Sequence, residues 1–323
     1  MKEIQFTDID GIKVGNAQDI ESATGCTVII CENGATAGVD VRGGSPGTRE
    51  TDLLNPVNMV EQIHGVMLSG GSAFGLDAAS GAMKYLEERN VGFDVQVTKV
   101  PIVCSAVLFD LAIGDYRVRP DLKMGYEACM NATDIECPNG NIGAGTGATV
   151  GKLLGLQRAM KGGLGSYALQ VGDLKVGAIV AVNCLGDVID PSTGQTLAGL
   201  LSEDKNSFIG TENMMIVNYD SKKNLFSGNT TIGVVATNAK FSKSETNKIA
   251  SMAHNGYART MRPAHSIFDG DTIFALSTGD EQADISTVGF LAARAMEQAV
   301  INAIKSASSL HGVRSYSDIA KLK

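Results

Sequence analysis

The 323-residue chain contains no tryptophan, and aromatic residues make up only 5% of it. It carries 38 glycines instead, which argues for many tight turns and close backbone approaches rather than a helical bundle. No Cys-x-x-Cys pair occurs among Cys26, Cys31, Cys104, Cys129, Cys137 and Cys184. A chain this long does not depend on disulfide staples, so reduced and mostly buried thiols are expected. The opening MKEIQFTDIDGIKVG has no apolar signal-like core, and runs such as VGAIVAV are far too short to cross a bilayer. A soluble, cytoplasmic protein with no membrane partner is the expectation. Lys and Arg nowhere cluster among aromatics, and a net charge of -8 repels phosphate backbones, so nucleic acid is not an expected partner.

Several catalytic signatures are missing as well. NIGAGTGATVGK, Asn141 to Lys152, fails as a phosphate-binding Walker loop, because only three residues separate Gly147 from Gly151 and Leu153 follows the lysine. Its overlap with a dinucleotide fingerprint, Gly143-x-Gly145-x-x-Ala148, follows the turn-like CPNGN instead of a strand. Ser69-Gly70-Gly71-Ser72 reads as a helix start with exposed N–H groups and contains no Gly-x-Ser-x-Gly elbow. His64, His254, His265 and His311 show neither metal-ligand spacing nor a triad grouping, which disfavours a serine-histidine hydrolase. No metal or other cofactor is expected.

What remains is ordinary globular composition, 44% hydrophobic and 19% charged, enough for a large core. Ala23 to Gly44 reads as two strands joined by an Asn-Gly turn, and Lys175 to Asp190 as two more around a Leu-Gly-Asp bend, with antiparallel pairing in both. Ser72 to Glu88 has helical spacing with Gly92 beyond its end. Ser242 and Glu245 form a capping box that opens a helix to about Met261, and Asp284 to Ala307 is a long alanine-rich helix. These elements predict one compact α+β unit over residues 1–323, its stacked sheets covered by helices. Only Tyr219 to Asn229 is polar and loop-like.

That loop leads directly into Thr230 and Thr231. Locally this is a Gly-Asn turn before a β-branched strand start. Chemically it is also a self-cleavage site: the Thr230 hydroxyl attacks the Asn229 carbonyl, and hydrolysis of the resulting ester frees Thr230 as a new N-terminus. The freed α-amine, with an ordinary pKa of about 7.7 to 8.0, is partly unprotonated at neutral pH and lies beside its own hydroxyl. Asp269 and Asp271 flank Gly270 before an apolar strand. They suit an Asp-Gly hairpin turn or, on extended backbone, two carboxylates on one side that orient a hydroxyl and an ammonium. Two carboxylates are too few for a metal cage. Lys152 reads as surface or as a cation tuning protonation beside a hydroxyl. Asn183, inside VGAIVAVNCLG, satisfies a turn or points its amide at an oxyanion.

Together GIKVGNAQD, GCTVIICENGATAGVDVRGG, LSGGSAFGLDAASG, VCSAVLFDL, GAGTGATVGK, VAVNCLGDVID, GNTTIGVVATNAKFS and FDGDTIFALSTGDE resemble the DmpA-type self-cleaving aminopeptidases and, above all, the nylon-oligomer (6-aminohexanoate oligomer) endo-hydrolases. The resemblance runs nearly the length of the chain. It implies a four-layer α-β-β-α sandwich and cleavage between Asn229 and Thr230, giving fragments 1–229 and 230–323. It also implies a catalytic set of Thr230, Asn183, Lys152, Asp269 and Asp271, a small amide or peptide substrate, and a homo-oligomer, commonly a tetramer. Phe109 stands where that branch has a tyrosine, which removes a hydroxyl from the expected substrate pocket. Two alternatives stay open. Ornithine acetyltransferases share the architecture and a threonine nucleophile but pass the acyl group to an amine, and an unprocessed ligand-binding relative has no need to cut itself.

Overall fold

The computed structural model describes residues 1–219 and 228–321. Ten strands form the main sheet: β1 (Lys2–Ile4), β2 (Lys13–Asp19), β3 (Thr24–Val41), β4 (Thr48–Arg49), β5 (Gln62–Ser69), β6 (Val103–Val107), β7 (Gly163–Val171), β8 (Leu174–Val182), β9 (Ile232–Ala239) and β10 (Thr272–Glu281). Their order is β1-β7-β8-β9-β10-β3-β5-β6-β4, with β2 also on β3. The first half of β3 pairs with β2 and β5, and its second half with β10. This one strand therefore belongs to two wings.

The wings stack because their strands alternate. Ile179 and Ala181 of β8, Ile232 and Val234 of β9, and Phe274 and Leu276 of β10 point one way, into a single cluster with Ile29 of β3 and Val66 and Leu68 of β5. Their sequence neighbours Val180, Val235, Ile273 and Ala275 face the opposite way, against two helices that follow the short α3 (Thr211–Val217) in the chain, α4 (Lys243–Thr260) and α5 (Ile285–Ser306). On the other wing Val28, Ile30 and Met67 meet α1 (Ala78–Glu87) and α2 (Leu122–Met130). Period-two alternation with both faces apolar makes a strand buried on both sides, and two such wings covered by helices give four layers, α-β-β-α. Truncating a side chain such as the fully buried Phe274 to alanine costs about 3–5 kcal/mol.

The helix starts follow their predicted signals. Ser242 accepts from Glu245 N to open α4, and Asp284 accepts from Thr287 N at 2.7 Å to open α5. The apolar face of α5 lies so close to β7 that a Cβ at Gly165 would fall 2.1 Å from the Ala299 carbonyl oxygen. The segment from Ser72 is tighter than expected, a 3₁₀ turn over Ser72–Asp77 before α1 begins. All six cysteines are free and buried. Among the described residues no helix is long and apolar enough to cross a membrane.

Both predicted hairpins are corrected. The strand β3 continues through Asn33-Gly34 for 18 residues, with a register shift between Ile30 and Ala35 and Gly34 at φ 81°. A left-handed glycine serves a bulge as well as a turn, and here the bulge bends one strand from the first wing into the second. After β8 the strand Asp187–Ile189 does not fold back on it, since β7 and β9 already occupy both edges of β8; it pairs instead with Thr196–Ala198 and Met261–Arg262. Of the polar loop expected over Tyr219 to Asn229, residues 220–227 lie outside the described residues.

Candidate active site

Thr230 lies where three central strands end together. Its N–H donates to the Asn183 carbonyl at 3.0 Å, just past the end of β8, and the next residue's carbonyl accepts from Thr272 N of β10 at 3.1 Å. Asn229, Thr230 and Thr231 are all buried. The chain is uncut in this structure. The Thr230 hydroxyl donates to the Asn229 carbonyl oxygen, and Gly270 N–H lies 3.2 Å from that same oxygen and 3.1 Å from Thr230 Oγ1. A hydroxyl, the preceding carbonyl and a backbone donor are thus gathered at one point.

The two carboxylates flank this donor. Asp269 and Asp271 do not form a hairpin turn; with Gly270 they lead straight into β10. Asp271 is fully buried, with Oδ1 accepting from Thr231 N at 2.8 Å and Oδ2 from His265 N at 3.0 Å and His265 Nδ1 at 2.9 Å. Asp269 accepts from Leu185 N at 3.3 Å and from the backbone and hydroxyl of Ser266. Burial, and secondly the Asp271 charge, raise its carboxyl above the ordinary value. The pair therefore holds the backbone around Thr230; the expected direct orientation of the hydroxyl falls to Gly270 N–H in the uncut chain.

Lys152 is drawn in from the glycine-rich segment. Its Nζ donates to Asn183 O at 3.0 Å, Asn183 Oδ1 at 2.8 Å and Gly228 O at 3.2 Å, and burial lowers it to about 8. Lys152 and the Thr230 N–H accordingly share one acceptor, Asn183 O. The asparagine side chain is fully buried and spends its groups locally: Oδ1 also accepts from Thr149 N at 3.0 Å, and Nδ2 donates to Phe109 O at 3.1 Å. A buried amide must be satisfied, and here this N–H serves the Phe109 carbonyl and not an oxyanion.

Over Thr230 opens a cleft of about 140 Å³, walled by Phe109, Phe268, Val107 and Pro46 with Ser45 and Ser72 at its edges. Phe109 lines this cleft beside Gly228 and Thr230. One residue escaped sequence reasoning, His265. Its link to Asp271 spans only six residues, but nothing in the spacing of four scattered histidines marks it.

Solved structures share this architecture. The L-aminopeptidase D-Ala-esterase/amidase of Ochrobactrum anthropi, described as a variant of the Ntn hydrolase fold, superposes with a TM-score of 0.75 at 19% identity, covering 98% of this chain and 93% of that one. A Burkholderia sp. β-aminopeptidase gives 0.72 at 17% identity, with 98% and 92% covered. The fold is therefore that of the N-terminal-nucleophile hydrolases. The chain belongs to peptidase family S58, which matches residues 5–317. An uncharacterized aminopeptidase of Mycobacterium leprae is 40% identical, with 96% of this chain and 92% of that protein covered. The 6-aminohexanoate-oligomer endohydrolase of Kocuria sp. is 30% identical, covering 92% and 85%. Membership of this family makes the protein an enzyme, a hydrolase of C–N bonds.

Proposed function

We propose that the chain is a self-processing amide hydrolase whose nucleophile is Thr230, acting on peptide-like or ω-amino-acid amide bonds. The observation that carries this is the approach of the Thr230 hydroxyl to the Asn229 carbonyl, with Gly270 N–H on the same oxygen. In self-cleavage Thr230 Oγ1 bonds to the Asn229 carbonyl carbon, and Gly270 N–H meets the oxyanion. The C–N bond then breaks, and the hydroxyl proton ends on the departing nitrogen. Water hydrolyses the ester to give fragments 1–229 and 230–323.

The new α-amine then takes the hydroxyl proton, Oγ1 attacks a substrate carbonyl, the amine half of the substrate leaves, and water releases the acyl group from threonine. A protonated Lys152 on Asn183 O disfavours a second positive charge beside it, so it lowers the pKa of that amine and keeps it a base. The aromatic and aliphatic walls of the cleft fit an apolar acyl chain. Once the chain is cut, we assign Asn183 the oxyanion of the substrate step. The family resemblance supports a cytoplasmic homotetramer, which gel filtration of the processed protein tests.

N-terminal sequencing of the smaller fragment is expected to read TTIGVV. An intact chain that is nonetheless active would sink the mechanism. Turnover of aminoacyl nitroanilides, β-peptides and 6-aminohexanoate oligomers separates an aminopeptidase from an oligomer hydrolase, the activities that the names of the relatives carry.

A further inference from the structure

Behind Asp271, on the side away from the cleft, lies a cluster that the proposed chemistry leaves unused. His265 gives two donors to one carboxylate oxygen, its backbone N–H at 3.0 Å and its ring Nδ1 at 2.9 Å. The other oxygen of that carboxylate takes the N–H of Thr231, the residue bonded to Thr230. His265 makes both bonds from a left-handed backbone, with φ 58°. That conformation is uncommon for a non-glycine residue, though histidine is among those that adopt it more readily.

The ring is clamped from α4. His254 packs against it edge-on, ring centres 4.9 Å apart, and Tyr257 lies at 6.2 Å; both are fully buried. His254 is itself fixed by Nε2 on the Asp40 carbonyl oxygen at 2.9 Å. His265 Nε2 is buried and has no hydrogen-bond partner among the described residues. A carboxylate is an acceptor only, so the bond to Asp271 places a proton on Nδ1. On its outer side His265 borders an open pocket of about 460 Å³ that Glu212, Arg262 and Pro263 also line.

We propose that His265 is a positioning residue for the reaction: it fixes the Asp271 carboxylate, and through Thr231 N–H the carboxylate fixes Thr230 against Gly270 N–H. This rests on Thr230 being the nucleophile. A histidine that merely staples the loop from Arg262 to Asp271 affects stability and leaves the rate of folded protein alone. A positioning histidine sets the rate in protein that is fully folded.

The test compares His265→Ala and His265→Asn in the full chain, following cleavage at Asn229-Thr230 by intact mass and, after processing, kcat and KM on an aminoacyl nitroanilide. Asparagine places an amide N–H near the Nδ1 position and tolerates left-handed backbone. In His265→Ala, cleavage and kcat are expected to fall about tenfold or more, the factor one charge-assisted hydrogen bond carries, with KM unchanged. His265→Asn is expected to retain most of both, and free imidazole, entering through the outer pocket, to restore part of the alanine variant's rate. If His265→Ala fails to fold, His265→Gln, whose amide lies nearer the Nε2 position, replaces it in the comparison. Wild-type rates in the alanine or glutamine variant, or a loss that follows the folded fraction alone, overturn the proposal. So does a loss that neither asparagine nor imidazole relieves. If the wild-type fragment never begins at Thr230, the nucleophile assignment itself fails; if it does and the His265 variants are neutral, only the positioning role falls.

Discussion

Lys152 closes the glycine-rich segment, Lys161 lies in the short strand Met160–Lys161 that follows it, and both are buried. Lys161 Nζ donates to the carbonyls of Gly145, Ala148 and Gly162 at 3.3, 2.7 and 3.2 Å; Lys152 donates to Asn183 and to Gly228. Burial lowers Lys161 to about 7 and Lys152 to about 8. By depth and by pKa the two are near twins. What separates them is the far side of their acceptors: Lys161 holds carbonyls of the glycine-rich segment and of Gly162, whereas Asn183 O also holds the N–H of Thr230. Burial of a cation therefore does not mark function; sharing an acceptor with the reacting residue does.

The comparison is sharpened first by removing the proposed nucleophile. Thr230→Ala is expected to leave both lysines in place and abolish cleavage, so that intact mass shows only the uncut chain. Cleavage in that variant would move the nucleophile to Thr231. Gly270→Ala comes next, because its Cβ would lie 2.7 Å from Thr230 Oγ1 and 2.8 Å from Ser45 O. Displacing the hydroxyl from its donor is expected to slow processing about a hundredfold, the size of losing one oxyanion contact, as read from a time course of fragment appearance.

Lys152→Met follows. At about 8 the lysine is mostly protonated on the acid side of neutrality, where it holds down the pKa of the neighbouring amine. Without it that pKa rises and the amine stays protonated to higher pH, so the acid limb of kcat/KM is expected to move up by about one pH unit. An unmoved limb with complete processing would make Lys152 a twin of Lys161 after all. The smallest effect on activity belongs to Lys161→Met, which is expected to process and turn over normally. It removes one donor from three buried carbonyls, of which Gly145 O and Ala148 O keep a backbone N–H, and with it a desolvated ammonium, so its effect is read as stability against pH by urea unfolding. Lys161 is lowered from an ordinary 10.5 to about 7 in the folded chain. Between those values the unfolded chain binds a proton that the folded one does not, so this lysine makes stability rise with pH from about 7 to 10.5 and contributes no slope below that window. The slope should vanish in the methionine variant.

Much of the arrangement was legible in the sequence because it rests on local rules. The capping box at Ser242 and Glu245 lies within one helical turn of the groups it satisfies, and it appears in the structure as read. The Asn-Gly at Asn33-Gly34 was misread for an equally local reason: glycine permits the left-handed turn and the bulge alike, and only the partners on either side of β3 decide between them. His265 escaped because its role needs a positive φ and two rings from α4, none of which leaves a trace in residue spacing.

By itself the sequence determined the chemistry available: a threonine hydroxyl next to an amide bond, two carboxylates around a glycine, and alternating strands that must be buried on both faces. Those follow from covalent neighbours and from hydrophobic periodicity, which any window of the chain contains. The tertiary structure alone decided which of these groups meet. It brought the ends of β8, β9 and β10 together, so that Asn183, Thr230 and Gly270 fall within hydrogen-bond reach, and it gave Lys152 rather than Lys161 the shared carbonyl. Register and strand order fix those distances. They are set by the packing of two wings and four helices on one another, which no short stretch of the chain encodes alone.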